Sequence, residues 1–257
     1  MTPDEAATLD AIVALARAAG REIMRVYAGA FDTERKADGS PVTAADHAAE
    51  AVIVAGLTKL DPGVPILAEE LVAAGQVPDI ADRTFWCVDP LDGTKEFVAR
   101  TDEFVVCIAR IEQRAPTLGV VHAPVRDVTY AGAGAGTAFK VDAAGTRHAI
   151  AVRAVPADGA IALDSRSHRD GAELDRWLAE HHVRERRICG SALKFGLVAE
   201  GAADLYVRFG PTSEWDTAAG HAVLEAAGGS VTLLDGGALR YAKPRFLNSG
   251  FIARGRA

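Results

Sequence analysis

Trp86-Cys87-Val88-Asp89-Pro90-Leu91-Asp92-Gly93-Thr94-Lys95-Glu96-Phe97 passes from an apolar run through a turn into helix-forming residues. Thr84–Val88 reads as a buried strand bounded by turn residues. Asp89 and Asp92 leave its end three residues apart, with Pro90 fixing one φ between them. A turn here brings both carboxylates to one point in space, and the Leu91 carbonyl can face the same point. An all-oxygen, anionic set suits a hard cation such as Mg²⁺ rather than zinc or copper. Gly93 lets backbone approach a ligand closely. A helix beginning at Thr94 offers free N–H groups and a positive dipole end to a phosphate. The same residues also fit a plain surface turn, with Asp-Gly as the turn pair and Asp92 as a helix cap.

Outward from this segment, residues 4–28 have apolar side chains at helical spacing, among them Leu9, Ile12, Val13, Ala16, Ala19 and Ile23. A polar turn at Lys36–Pro41 follows. A second helix is predicted over Thr43–Lys59, with Thr43 as N-cap and Asp46 three residues on, as in a loose capping box. Pro65–Ala68 reads as another buried strand. Phe104–Ile111, Thr117–Ala123, Val128–Ala131, Thr137–Val141 and Ala149–Val152 are short strands with brief turns, which predicts an antiparallel sheet. The glycine-rich run Ala131–Gly136 reads as a hairpin turn, because a strand rather than a helix follows it.

From residue 155 strands and helices alternate. Strands at Ile161–Asp164, Arg187–Cys189, Leu205–Val207 and Ser230–Leu234 are interleaved with helices near Gly171–His182, Ala192–Glu200 and Thr217–Ala227. The expected organisation is an α+β domain over 1–153 and an α/β domain over 154–257.

The chain has 257 residues, with 28 Lys and Arg against 35 Asp and Glu, a net charge of −7. So acidic a chain is poorly suited to holding a nucleic-acid backbone. No apolar run approaches the ~20 residues needed to span a bilayer, and the acidic start, MTPDEAATLD, lacks signal-peptide character. A cytoplasmic chain without a transmembrane segment is expected, with peripheral membrane association still open. Cys87, Cys107 and Cys189 are odd in number and far apart, which indicates neither a disulfide framework nor a zinc site. No two-histidine metal motif and no Gly-x-Ser-x-Gly turn occurs; His47 and His221 read as surface helix residues.

Other acids can join the central pair. Glu69 and Glu70 end an apolar strand, where adjacent acids are ordinarily solvated, although one could complete a metal shell and hold a water. Asp216 stands where a helix begins. It reads as an N-cap, with Gly228 as the matching C-terminal glycine, or as a ligand supplied by the second half of the chain. Asp46 can accept a hydrogen bond from Thr94 and make that hydroxyl a relay for a proton.

Ala68-Glu69-Glu70, then Trp86-x-x-Asp89-Pro90-x-Asp92-Gly93-Thr94, then Trp215-Asp216 through Gly220 and Ala226-Ala227-Gly228-Gly229, with Asp46 upstream, resemble the inositol monophosphatase superfamily. Two positions depart from its pattern: Ala68 stands where Gly or Ser usually precedes the paired glutamates, and Leu71 follows them where a small residue is common. The resemblance implies an αβαβα layered sandwich built from an α+β and an α/β half. It also implies two or three Mg²⁺ ions held by Glu69, Asp89, the Leu91 carbonyl, Asp92 and Asp216, with Asp46, Glu69 and Thr94 activating water.

Finer stretches resemble the bacterial 3'(2'),5'-bisphosphate nucleotidase branch: Lys36 through Asp46, Asp92 through Phe97, Ser165-Arg166-Ser167-His168, and Gly190 through Thr212. That resemblance implies a substrate site of Gly93, Thr94, Lys95, His168, Ser191, Lys194, Arg208 and Asp216, and a small nucleotide bisphosphate as substrate. A second phosphate calls for cations, which a Lys and a planar Arg fork supply. On spacing alone, Lys194 and Arg208 read as surface residues. An inositol or sugar monophosphate remains an alternative substrate. A regulatory protein-binding module is a further alternative and would need an exposed apolar patch.

Overall fold

The computed structural model describes residues 1–81, 83–167 and 171–256. Helix α1 (Pro3–Tyr27) leads to a hairpin of β1 (Thr33–Arg35) and β2 (Pro41–Thr43), then α2 (Ala44–Leu60), β3 (Ile66–Ala68), α3 (Glu69–Ala73), β4 (Phe85–Asp92) and α4 (Thr94–Val98). Five strands follow: β5 (Val105–Glu112), β6 (Ala115–Ala123), β7 (Val128–Gly132), β8 (Phe139–Val141) and β9 (Arg147–Ala149). Beyond them come β10 (Ala160–Ser165), α5 (Gly171–Ala179), β11 (Val183–Cys189), α6 (Leu193–Ala199), β12 (Leu205–Arg208), β13 (Thr212–Ser213), α7 (Trp215–Ala226), β14 (Ser230–Leu233), β15 (Leu247–Asn248) and β16 (Phe251–Arg254).

Strands β3 to β9 form one sheet in sequence order, antiparallel except for the parallel β3–β4 pair. A second sheet has the order β11-β10-β12-β16-β14; β10 runs parallel to β11 and β12, and β16 runs antiparallel to both of its neighbours. Side chains alternate across the first sheet with the strand period of two. Trp86 and Val88 of β4 and Val106 and Ile108 of β5 face α1 and α2. Phe85 and Cys87, with Val105 and Cys107, face the opposite way and pack with α6, α7 and the second sheet. Leu174 of α5 closes the far side on Val207 and Ile252. The layers therefore run α, β, α, β, α.

Capping boxes at Thr2 and Thr43 start α1 and α2. Helix α7 ends in left-handed Gly228, whose N–H donates to Glu225 while that of Gly229 donates to Leu224, the double bond of a Schellman turn. Gly119 of β6 has no space for a side chain, since a Cβ there would collide with the Ala219 carbonyl of α7. This close approach lets the middle helix lie flat on the first sheet.

The structure adds elements that the residue patterns miss. The 36–40 turn joins the two short strands β1 and β2, and β16, beyond the alternation read over 155–234, sits inside the second sheet. His221 is buried rather than on the surface: α7 is covered from both sides, and the ring bonds Tyr241 Oη at 3.0 Å. Among the described residues no helix is long and apolar enough to cross a membrane.

Candidate active site

A bulge in β4 aims the central acids. Asp89 pairs with Cys107 and Asp92 with Val105, so β4 carries one residue more than β5 between them. Pro90, which has no N–H to give a ladder, sits in that irregularity. The Leu91 N–H turns back to donate to Asp89 Oδ1 at 3.0 Å. Ala68 pairs with Val88 on the adjacent parallel strand, which sets Glu69 beside Asp89. Asp216 comes from the first turn of α7; the N-cap there is Glu214, so Asp216 is not the cap. Its carboxylate accepts from the Thr212 hydroxyl and, at 3.1 Å, from the Ser213 N–H.

Ligand atoms of Glu69, Asp89 and Asp216 all lie within 4.8 Å of one another. Asp92 is outside this three-acid set, and its Oδ2 accepts from the Ala192 N–H. Burial and the charge of Asp216 raise Glu69 to about 8 against the lowering pull of Lys36. Burial and the charge of Asp216 raise Asp92 to about 7, and burial with the neighbouring acids pushes Asp89 well up. Carboxylates that resist ionising side by side form a set suited to a cation that neutralises them, and the oxygen-only chemistry fits a hard divalent ion.

Beside this set, the capping box of α2 orients a second carboxylate. Asp46 Oδ2 accepts from the Thr43 N–H and hydroxyl, both at 2.8 Å. Its Oδ1 is left facing Thr94, whose hydroxyl lies 3.1 Å away and also 3.2 Å from the Leu91 carbonyl. Burial raises the Asp46 carboxyl. Gly93, with φ +98°, starts α4; a Cβ there would press on the Glu103 carbonyl and Phe104.

A cleft of about 330 Å³ is lined by Asp92, Asp216, Gly93 and Thr94 together with Lys194 and Arg208. Lys194 is buried, correcting the surface reading. Its Nζ donates to the Cys189 and Ser191 carbonyls at 3.0 and 2.7 Å and lies 4.7 Å from the Tyr206 ring centre. Arg208 donates to the Pro211 carbonyl at 2.8 Å. Among the described residues neither cation forms an ion pair with a carboxylate. Lys95 and Ser191 also line the cleft, whereas His168 lies outside the described residues.

The inositol monophosphatase family pattern matches residues 4–255. The chain belongs to the inositol monophosphatase family. Within it, the 3'(2'),5'-bisphosphate nucleotidase CysQ of Escherichia coli K12 is 50% identical over 246 residues, 95% of this chain and 98% of that protein. The protein of the same name from Buchnera aphidicola is 41% identical over 250 residues, 95% and 92% of the two chains. Among solved structures, CysQ from Bacteroides thetaiotaomicron aligns with a TM-score of 0.82 at 36% identity, over 98% of both chains. An inositol monophosphatase from Anabaena aligns with a TM-score of 0.77 at 28% identity, over 97% and 91%.

Two groups at this family's site, half-buried Lys36 and buried Glu50, escape the residue patterns. Lys36 Nζ donates to both Glu69 and Glu70, at 2.5 and 2.6 Å. Although burial opposes its charge, these two acids hold its pKa above the ordinary value. Glu50 accepts from the Glu70 N–H at 2.9 Å, and burial raises it to about 7. Lys36 stands in the turn before Thr43, in the stretch that resembles the nucleotidase branch, but no spacing marks it as a partner of Glu69 and Glu70; Glu50 reads as one more helix acid.

The raised carboxyls give a pH dependence with a definite sign. Between the ordinary values of 4.5 and 3.8 and the raised ones near 8 and 7, the metal-free folded chain binds more protons than the unfolded chain. Their contribution to stability is therefore present at lower pH and lost as pH rises through that window, by at most about 1.4 kcal/mol per pH unit for each carboxylate. In EDTA the melting temperature is expected to fall from about pH 6 to about pH 8. The rise caused by Mg²⁺ should be larger at the higher pH, because ligands must be deprotonated. Thermal unfolding at both pH values checks this; a flat profile, or an equal Mg²⁺ shift at both, contradicts it.

Proposed function

We propose that this chain is a Mg²⁺-dependent 3'(2'),5'-bisphosphate nucleotidase that hydrolyses adenosine 3',5'-bisphosphate to AMP and phosphate, as a soluble cytoplasmic enzyme. The observation that carries the reading is a single cleft lined both by Asp92 and Asp216, beside the clustered Glu69 and Asp89, and by the cations Lys194 and Arg208. A monophosphate needs only the acids, whereas a bisphosphate also uses the cations.

Glu69, Asp89, Asp216, Asp92 and the Leu91 carbonyl would hold the metal. When bound, such ions neutralise charge on the attacking and departing oxygens and acidify a water. The protein supplies the rest. The Gly93 and Thr94 N–H groups hold the transferring phosphoryl group at the start of α4. The Thr94 hydroxyl takes a proton from the attacking water while passing its own to Asp46 Oδ1, and burial makes that carboxylate a better base than an exposed aspartate. Cys87, Cys107 and Cys189 are buried with their thiols pushed up, so none is a nucleophile. Attack by water without a covalent phosphoenzyme is the step this arrangement serves.

Phosphate release from adenosine 3',5'-bisphosphate and from inositol 1-phosphate, side by side in Mg²⁺ and in EDTA, tests the reading. The expected result is metal-dependent turnover with kcat/KM at least about tenfold higher on the bisphosphate, the scale of one charged contact. Preference for the inositol ester overturns the substrate, and no turnover of either overturns the enzyme reading.

A further inference from the structure

Glu103 carries no ligand atom of the acidic set, yet it ties two walls of the cleft together. Its Oε2 accepts from the Gly190 backbone N–H at 2.8 Å and from Arg166 Nε at 2.7 Å. Gly190 is pressed against it: a Cβ there would lie 2.9 Å from both the Cβ and the carbonyl oxygen of Glu103. The next residue, Ser191, has φ +53°, a left-handed conformation that a non-glycine residue keeps only when its surroundings hold it. That turn presents the Ala192 N–H to Asp92 and the Cys189 and Ser191 carbonyls to Lys194.

Arg166 follows β10 and lines the cleft, with its side chain 39% exposed. Its guanidinium is planar, so fixing Nε on Glu103 also fixes the direction of both Nη groups. Beside it, the Ser167 hydroxyl donates to Glu96, so the segment after β10 is held to the first sheet's side by two acids outside the metal set. Arg166 thus shares the cleft with Lys194 and Arg208, and its ion-pair partner is Glu103 rather than a carboxylate of the acidic set. Burial works against the Glu103 charge, but its bonds with Arg166 and Gly190 hold the carboxyl below its ordinary value.

We propose that Arg166 is a substrate contact and Glu103 its positioning residue, aiming the guanidinium at the second, non-reacting phosphate of a nucleoside bisphosphate. The proposal rests on the nucleotidase reading and names a further determinant of its specificity. Gln at position 103 still offers a carbonyl oxygen to the Gly190 N–H, so Glu103→Gln keeps the turn and loosens Arg166.

Adenosine 3',5'-bisphosphate and adenosine 3'-monophosphate carry the same scissile ester and differ only in the second phosphate. For Arg166→Gln, KM for the bisphosphate should rise roughly tenfold, the scale of one charged contact. Its KM for the monophosphate and both kcat values should stay within about twofold. Glu103→Gln should show the same split at smaller size, and the double variant should match Arg166→Gln alone, because the two act through one contact. A purely structural role would lower kcat on both substrates alike. Equal effects on both substrates, or additive effects in the double variant, overturn the proposal. A wild-type preference for the bisphosphate that survives both changes overturns this proposal alone, and a wild type with no such preference overturns the nucleotidase reading with it.

Discussion

Asp92→Asn and Asp216→Asn are each expected to lower phosphate release by on the order of 10³-fold while leaving the chain folded. Both substitutions keep the local hydrogen bonds. An amide oxygen at 92 can still accept from the Ala192 N–H, and one at 216 from Thr212 and Ser213. What each removes is a negative charge from a place where carboxylates repel one another. The metal-free variants should therefore melt at the same temperature as the parent or higher when measured in EDTA at about pH 8, because one buried like-charge repulsion is gone. Adding Mg²⁺ should then raise the melting temperature less than in the parent. The two readouts move in opposite directions only if the carboxylates serve a cation and not the fold. An Asp92→Asn chain that keeps full turnover removes the assignment, and one that unfolds in EDTA makes the acid structural.

Features set by neighbours in sequence are legible from residue type and spacing alone. The helical spacing in α1, the Thr43–Asp46 capping box and the hairpin run of β5 to β8 depend on contacts a few residues apart, and each forms close to where the pattern places it, whereas β9 forms at Arg147–Ala149 and shares only Ala149 with the expected strand. Asp89 and Asp92 are legible as acids flanking one irregularity of β4, but that only Asp89 joins the three-acid set while Asp92 turns to the Ala192 N–H is not. What the pattern misreads depends on the layers. Helices α6 and α7 lie between two sheets, so amphipathic logic, which assumes one wet face, puts Lys194 and His221 on the surface. Lys194 is instead buried against two carbonyls and the face of Tyr206, which no spacing reveals. Strand β16 is only four residues long, and its partners β12 and β14 come from earlier segments of the chain. Lys36 meets Glu69 and Glu70 only once the turn before α2 folds back over the end of β3.

The cations of the cleft separate the proposed bisphosphatase from a monophosphatase, and Arg208 offers the cleaner test. Arg208→Met removes the guanidinium, and the Pro211 carbonyl it bonds at 2.8 Å belongs to a residue lining the open cleft, where water can replace it. A charge-assisted contact to a phosphate contributes about 1.5–3 kcal/mol, so KM for adenosine 3',5'-bisphosphate should rise on the order of 10- to 100-fold. KM and kcat for adenosine 3'-monophosphate should barely move, since that ester uses only the acids. Arg208→Lys keeps the charge and loses the planar fork, so its effect should fall between the parent and Met. Lys194→Met fills the same volume over Tyr206 but strands the Cys189 and Ser191 carbonyls, at a cost of about 1–3 kcal/mol in stability. Its kinetic loss is therefore read as the ratio of the two substrates, in which a general loosening cancels. If that ratio is unchanged in Arg208→Met and Lys194→Met alike, the second phosphate is not bound by these cations, and the nucleotidase reading loses its physical basis even though the acidic set remains a phosphatase centre.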